Sequence, residues 1–101
     1  MHVWIYTTAP NHKSAEKISS YLLKKKLVAC VNMFPVKSQY WWKKKILKNS
    51  EVALIIKTSS KKKNKALSEI KKIHPYKLPD IVSFDVDSSK EVIKWIEDSL
   101  E

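Results

Sequence analysis

The stretch Ser38–Thr58, SQYWWKKKILKNSEVALIIKT, decides the fold. It reads as a long hairpin. One strand arrives at Tyr40-Trp41-Trp42, and another leaves from Lys44 through the apolar run Val52-Ala53-Leu54-Ile55-Ile56. Side chains alternate across a strand, so Trp41 and Trp42 point to opposite faces. A chain of 101 residues has room for about one core, and one core cannot take both indoles. The connection falls at Lys43-Lys44. Lysine suits a two-residue primed turn poorly, so the sequence predicts either strain or a longer loop.

HVWIYTT (2–8) is a first strand ended by Ala9-Pro10. Asn11 can cap a helix that opens near His12, with Ala15, Ile18 and Leu22 on one face. LVACVNMF (27–34) is a second strand that resumes as VKSQYWW (36–42) after Pro35, where a bulge or bend is expected. The third strand covers 44–58. A second helix covers 60–73 and must stop at His74-Pro75, because a residue before proline disfavours the helical region. DIVSFDV (80–86) is a fourth strand, and a capped third helix runs over 88–100.

The order βαββαβ plus a C-terminal helix predicts an α+β domain over 1–101, a ferredoxin-like antiparallel sheet with strands 1 and 3 central. With helices on one face, the strands should alternate apolar and polar. VWIY (3–6) and VALII (52–56) do not, so the other face must also be dry. The second strand with its continuation spans about 15 residues, or roughly 50 Å. Such a ribbon overhangs its own sheet. Exposed, it is an aggregation hazard. Packed on another copy, Tyr40, Trp41 and Trp42 become interface anchors.

The formal charge is +10, all 20 cationic side chains are lysine, and neither arginine nor glycine is present. Missing glycine removes the phosphate-cradling loops that need it. Missing arginine removes the fork that reads guanine and phosphate bidentately. Residues 1–79 carry 18 lysines against Glu16, Glu51 and Glu69, whereas 80–101 carry seven acids against two lysines. A lone Cys30 excludes an intrachain disulfide, and MHVWIYTTAP lacks a secretory pattern, which together predict a cytoplasmic protein. No apolar run nears the ~20 residues of a membrane span.

VWIYTTAP, LLKKKLVACVN, YWWKKKI, SEVALIIKT and IHPYKLPDIV occur in that order. Together they resemble the CutA family of divalent-cation-tolerance proteins, over nearly the whole chain. The resemblance implies a homotrimer in which long hairpins of neighbouring subunits pair edge to edge. It also implies a role in tolerance of divalent ions, chiefly copper, with thiol and imidazole ligands in some members. His74 matches the imidazole position. Ile73 stands where some members carry a second histidine, Thr7 where some carry a cysteine, and Lys44 where a turn glycine is common.

His74 therefore reads two ways, as a copper or other divalent-cation ligand or as a helix-terminal histidine suited to the dipole. Cys30 reads as a soft ligand or as a small apolar residue. Tyr6, Thr7, Tyr40, Trp42, Lys57, His74 and Tyr76 are expected to line an intersubunit cleft for a small anionic ligand; Lys57 alternatively is a solvated strand end. No cofactor is expected to be needed for folding. No nucleophile–base pair is legible, so no catalysis is expected. The alternative function is weak, nonspecific binding of single-stranded nucleic acid. The third strand has no aromatic for base stacking, which argues against specific recognition.

Overall fold

The computed structural model describes all 101 residues. Seven elements follow one another: β1 (His2–Ala9), α1 (His12–Lys24), β2 (Cys30–Trp42), β3 (Lys45–Ser59), α2 (Lys63–Ile73), β4 (Val82–Val86) and α3 (Lys90–Ser99). The sheet is antiparallel with order β2-β3-β1-β4. Strands β3 and β1 are central, as the βαββαβ order requires.

Register sorts the side chains into two faces. Val3, Ile5 and Thr7 of β1 pair with Thr58, Ile56 and Leu54 of β3. That first face packs under α1 and α2, where Ala15, Ile18, Leu22, Ala66 and Ile70 complete the core. Truncating a side chain such as Leu54 to alanine there costs about 2–5 kcal/mol. The helix α3 packs on β3 and buries Ile96 and Leu100 apart from that cluster. Between α1 and α2, the buried carboxylate of Glu69 accepts from Tyr21 Oη at 2.6 Å and lies 3.2 Å from Lys72 and 3.7 Å from Lys25. The Tyr21 hydrogen bond and then Lys72 hold this carboxyl down at about 2.

The second face carries Trp4, Tyr6 and Thr8 opposite Lys57, Ile55 and Ala53. The apolar side of β4 also points this way, since Val82 and Phe84 pair with Tyr6 and Trp4 and are 44% and 43% exposed. The alternation legible in β4 therefore turns its apolar residues away from α1 and α2.

Residues 36–51 pair only with one another and project beyond β1. This ribbon lengthens the molecule to 45 Å against 24 and 21 Å in the other directions. Trp41 and Trp42 are 71% and 49% exposed on its two sides. The turn is a tight two-residue one, with Lys43 and Lys44 both left-handed at φ 49° and 65°. Of the two expected outcomes, the structure takes the strained one, at about 1–2 kcal/mol per residue.

Several boundaries differ from the sequence reading. The second strand begins at Cys30, not Leu27. Leu27 and Val28 are buried in the connection, and Thr58 Oγ1 donates to the Leu27 carbonyl at 2.6 Å. Pro35 causes no bulge: the pairs Phe34–Ala53, Pro35–Val52 and Val36–Glu51 follow without a break. An edge strand accommodates proline because its outer row of backbone groups makes no ladder bond. Helix α2 starts at Lys63 and β4 at Val82, each later than expected. Ser89 caps α3 by accepting from Val92 N.

Candidate functional site

The segment after α2 is shaped by Pro75. It holds His74 extended at ψ 134°, so the helix ends with His74 N donating to Ile70 O at 2.9 Å. The imidazole is thereby laid against the end of β1. Its Nε2 lies 2.9 Å from the Thr8 carbonyl and 3.2 Å from Thr7 Oγ1. Its Nδ1 accepts from Tyr76 N at 3.1 Å. A backbone N–H can only donate, so this network assigns the proton to Nε2. Burial lowers the His74 pKa below its ordinary 6.5, outweighing the Thr8 hydrogen bond and Glu51.

Tyr76 continues the loop onto the second face. Its ring stands 5.0 Å from His74, tilted by 42°, and its Oη donates to Glu51 Oε2 at 2.6 Å. Burial and the Glu51 carboxylate both push the phenol's pKa up, with Tyr40 adding to the effect. Burial also works against the ionised form of Glu51. The hydroxyls of Ser38, Tyr76 and Thr8 outweigh it and hold that carboxyl below 4.5, with help from His74. Asn49 Nδ2 donates to Tyr40 Oη. Glu51, Ser38, Tyr40, Asn49, Thr8 and Tyr76 thus make one polar cluster where the ribbon leaves the sheet.

Of the expected cleft residues, Tyr76 and Tyr40 belong to this cluster, and His74 adjoins it through the Thr8 carbonyl and Tyr76 N. Thr7 supports His74 from the first face, where it is buried. Tyr6 is half-buried on the second face between Ile55 and Val82. Trp42 lies out at the ribbon tip beside Lys45. Lys57 is six residues from Glu51 along β3, about 20 Å at ~3.3 Å per residue. There its Nζ stands 5.1 Å from the Trp4 ring, which packs edge-on to Phe84 at 6.1 Å. The charge beside Tyr76 in one chain is therefore Glu51, of opposite sign to the lysine expected. Sequence reasoning missed Glu51, Ser38, Asn49 and Thr8. The available signal was Glu51 itself, one of three acids among 18 lysines and placed just before VALII.

The expected metal donors do not meet in one chain. Both His74 nitrogens are committed to backbone groups, which leaves no lone pair for a cation. Cys30 is a free, half-buried thiol in register with Lys57, whereas His74 sits over Thr7 and Thr8. No three His, Cys, Asp or Glu side chains are gathered to hold an ion. The donors of one chain do not fit a closed metal centre, which needs about four.

Fold and site together define a ferredoxin-like domain whose polar cluster sits at the root of an overhanging aromatic ribbon. The chain belongs to the family described as CutA1 divalent ion tolerance protein, whose model matches residues 3–99. It is 44% identical to the divalent-cation tolerance protein CutA of Archaeoglobus fulgidus over the whole of both chains. It is 37% identical to that of Thermotoga maritima over 97% of this chain and 98% of the other. The solved A. fulgidus structure, described as a periplasmic protein, superposes with a TM-score of 0.95 over all of both chains.

Proposed function

We propose that this chain is a non-catalytic, cytoplasmic binding and signalling module. It assembles as a homotrimer and acts in tolerance of divalent ions, copper foremost. The ribbon carries this reading. Residues 36–51 leave their own sheet with Tyr40, Trp41, Trp42 and Ile46 exposed, and large aromatics so placed are interface anchors. Sedimentation equilibrium at micromolar concentration tests it. The expected mass is three times 11.8 kDa, and a folded particle of 11.8 kDa would end the reading.

The absence of catalysis is supported by His74. Its Nε2 proton faces Thr7 and Thr8, so the ring cannot take a proton from the Thr7 hydroxyl. The divalent-ion role draws on the family description, and the choice of copper on Cys30, a soft free thiol of which a trimer holds three copies. Calorimetry with copper on the wild type, Cys30→Ser and His74→Ala tests it. Equal heats from all three would remove both residues from the site. A small anion is assigned to the Lys57–Trp4 end of the second face. Cytoplasmic location rests on the unpaired cysteine, and cell fractionation tests it.

A second reading follows from the exposed Trp41 beside Lys43–Lys45: weak stacking and phosphate contact with single-stranded nucleic acid. Binding of a random single strand at low salt that vanishes at high salt is its expected signature.

A further inference from the structure

Residues 1–79 hold 18 lysines and only three acids. Two of the acids have basic partners: Glu16 lies 2.9 Å from His12, and Glu69 contacts Lys72 and Lys25. Glu51 has no cationic side chain within 4.0 Å. It is not simply solvated either, being half-buried on β3 with Tyr76 Oη 2.6 Å away. Neutral hydroxyls stabilise a carboxylate without cancelling its charge, and a charge partly withdrawn from water is costly unless paired. Tyr76 meets the carboxylate with its hydroxyl, whose oxygen keeps lone pairs free, and Tyr40 lies on the same face as Glu51, its hydroxyl oxygen accepting from Asn49.

We propose that Glu51, Tyr76 and Tyr40 form a receptor for a primary ammonium group. The inference deepens the assembly reading above and rests on it for one of two sources of that group: a lysine of a second copy, or a free alkylamine. A divalent ion fits less well. Hard cations take six or more oxygens and several negative charges, and this cluster offers one carboxylate among neutral hydroxyls. With both its nitrogens on backbone groups, His74 offers Glu51 no hydrogen bond.

The test compares the wild type with Glu51→Gln, which keeps an acceptor for Tyr76. Sedimentation equilibrium is run from 50 to 500 mM NaCl, and calorimetry uses butylammonium chloride with sodium butyrate as control. If the source is a second copy, Glu51→Gln raises the dissociation constant of the assembly at least tenfold, with the largest loss at 50 mM NaCl. If the source is a free amine, assembly is unchanged, and the wild type binds butylammonium at least tenfold more tightly than Glu51→Gln does. Unchanged assembly together with no preference for butylammonium over butyrate would overturn the proposal. A monomeric wild type would defeat the assembly reading alone, because the calorimetric arm still reads the receptor.

Discussion

Tyr76 Oη donates to Glu51 Oε2 across 2.6 Å, and this contact ties the loop after α2 to the strand that begins the ribbon. A hydrogen bond to a charged group is stronger than a neutral one. Tyr76→Phe is expected to lower stability by about 1.5 kcal/mol and to let the Glu51 carboxyl titrate nearer 4.5. Urea unfolding and a pH titration of the carboxyl carbons check both effects.

Acid should weaken the fold through Glu69 and Glu51. Both have native pKa values below the ordinary 4.5, Glu69 at about 2. Between those limits the unfolded chain binds more protons, so stability rises with pH there. The contribution is complete above about 4.5 and is lost as pH falls towards 2. Thermal melts from pH 6 down to about 2 should show this slope, and Glu69→Gln should flatten most of it.

His74 is expected to titrate below 6.5. Its folded value is depressed, so its contribution is present above 6.5 and is lost as pH falls below that value. Protonation also puts a hydrogen on Nδ1, where Tyr76 N now donates. Nitrogen-15 chemical shifts should report the Nε2–H form near neutrality, and an Nδ1–H form would contradict the assignment.

Lys26 sits at φ 55° just past α1, where Lys26 N donates to Leu23 O and Leu27 N to Leu22 O. That is a Schellman ending, in which glycine is the usual occupant. Lys26→Gly should raise stability by about 1 kcal/mol, because it removes the left-handed penalty. A rise in denaturation midpoint with an unchanged slope would bear this out.

The ribbon tryptophans should matter to assembly and little to the subunit. Trp41→Ala and Trp42→Ala each remove a large exposed indole that touches no buried core. Each is expected to raise the dissociation constant of the assembly by about tenfold, or about 1.4 kcal/mol. Circular dichroism should stay unchanged while sedimentation shifts.

Much of the framework was legible in the sequence. Asn11 was expected to cap α1, and its side chain accepts from Ser14 N at 2.8 Å. Pro75 was expected to end α2, and it does. The first and third strands were expected to be central, and they are. The seam at Leu27, Val28 and Thr58 was not legible, because a buried connection shows the same apolar run as a strand. Nor was the straight course of Pro35, since only its place at the sheet edge makes the missing N–H harmless.

Order and period of the elements, the central strands and the overhanging ribbon were set by the sequence, because they follow from local patterns of two and 3.6 residues. What tertiary structure alone decided was which side chains meet. It turned the apolar side of β4 outward, set Lys57 a strand's length from Tyr76 within one chain, and put Glu51 beside Tyr76 on the face that Ser38 shares. Residues 38, 51 and 76 are far apart in the chain, and only strand register and the path of the proline loop fix their separation.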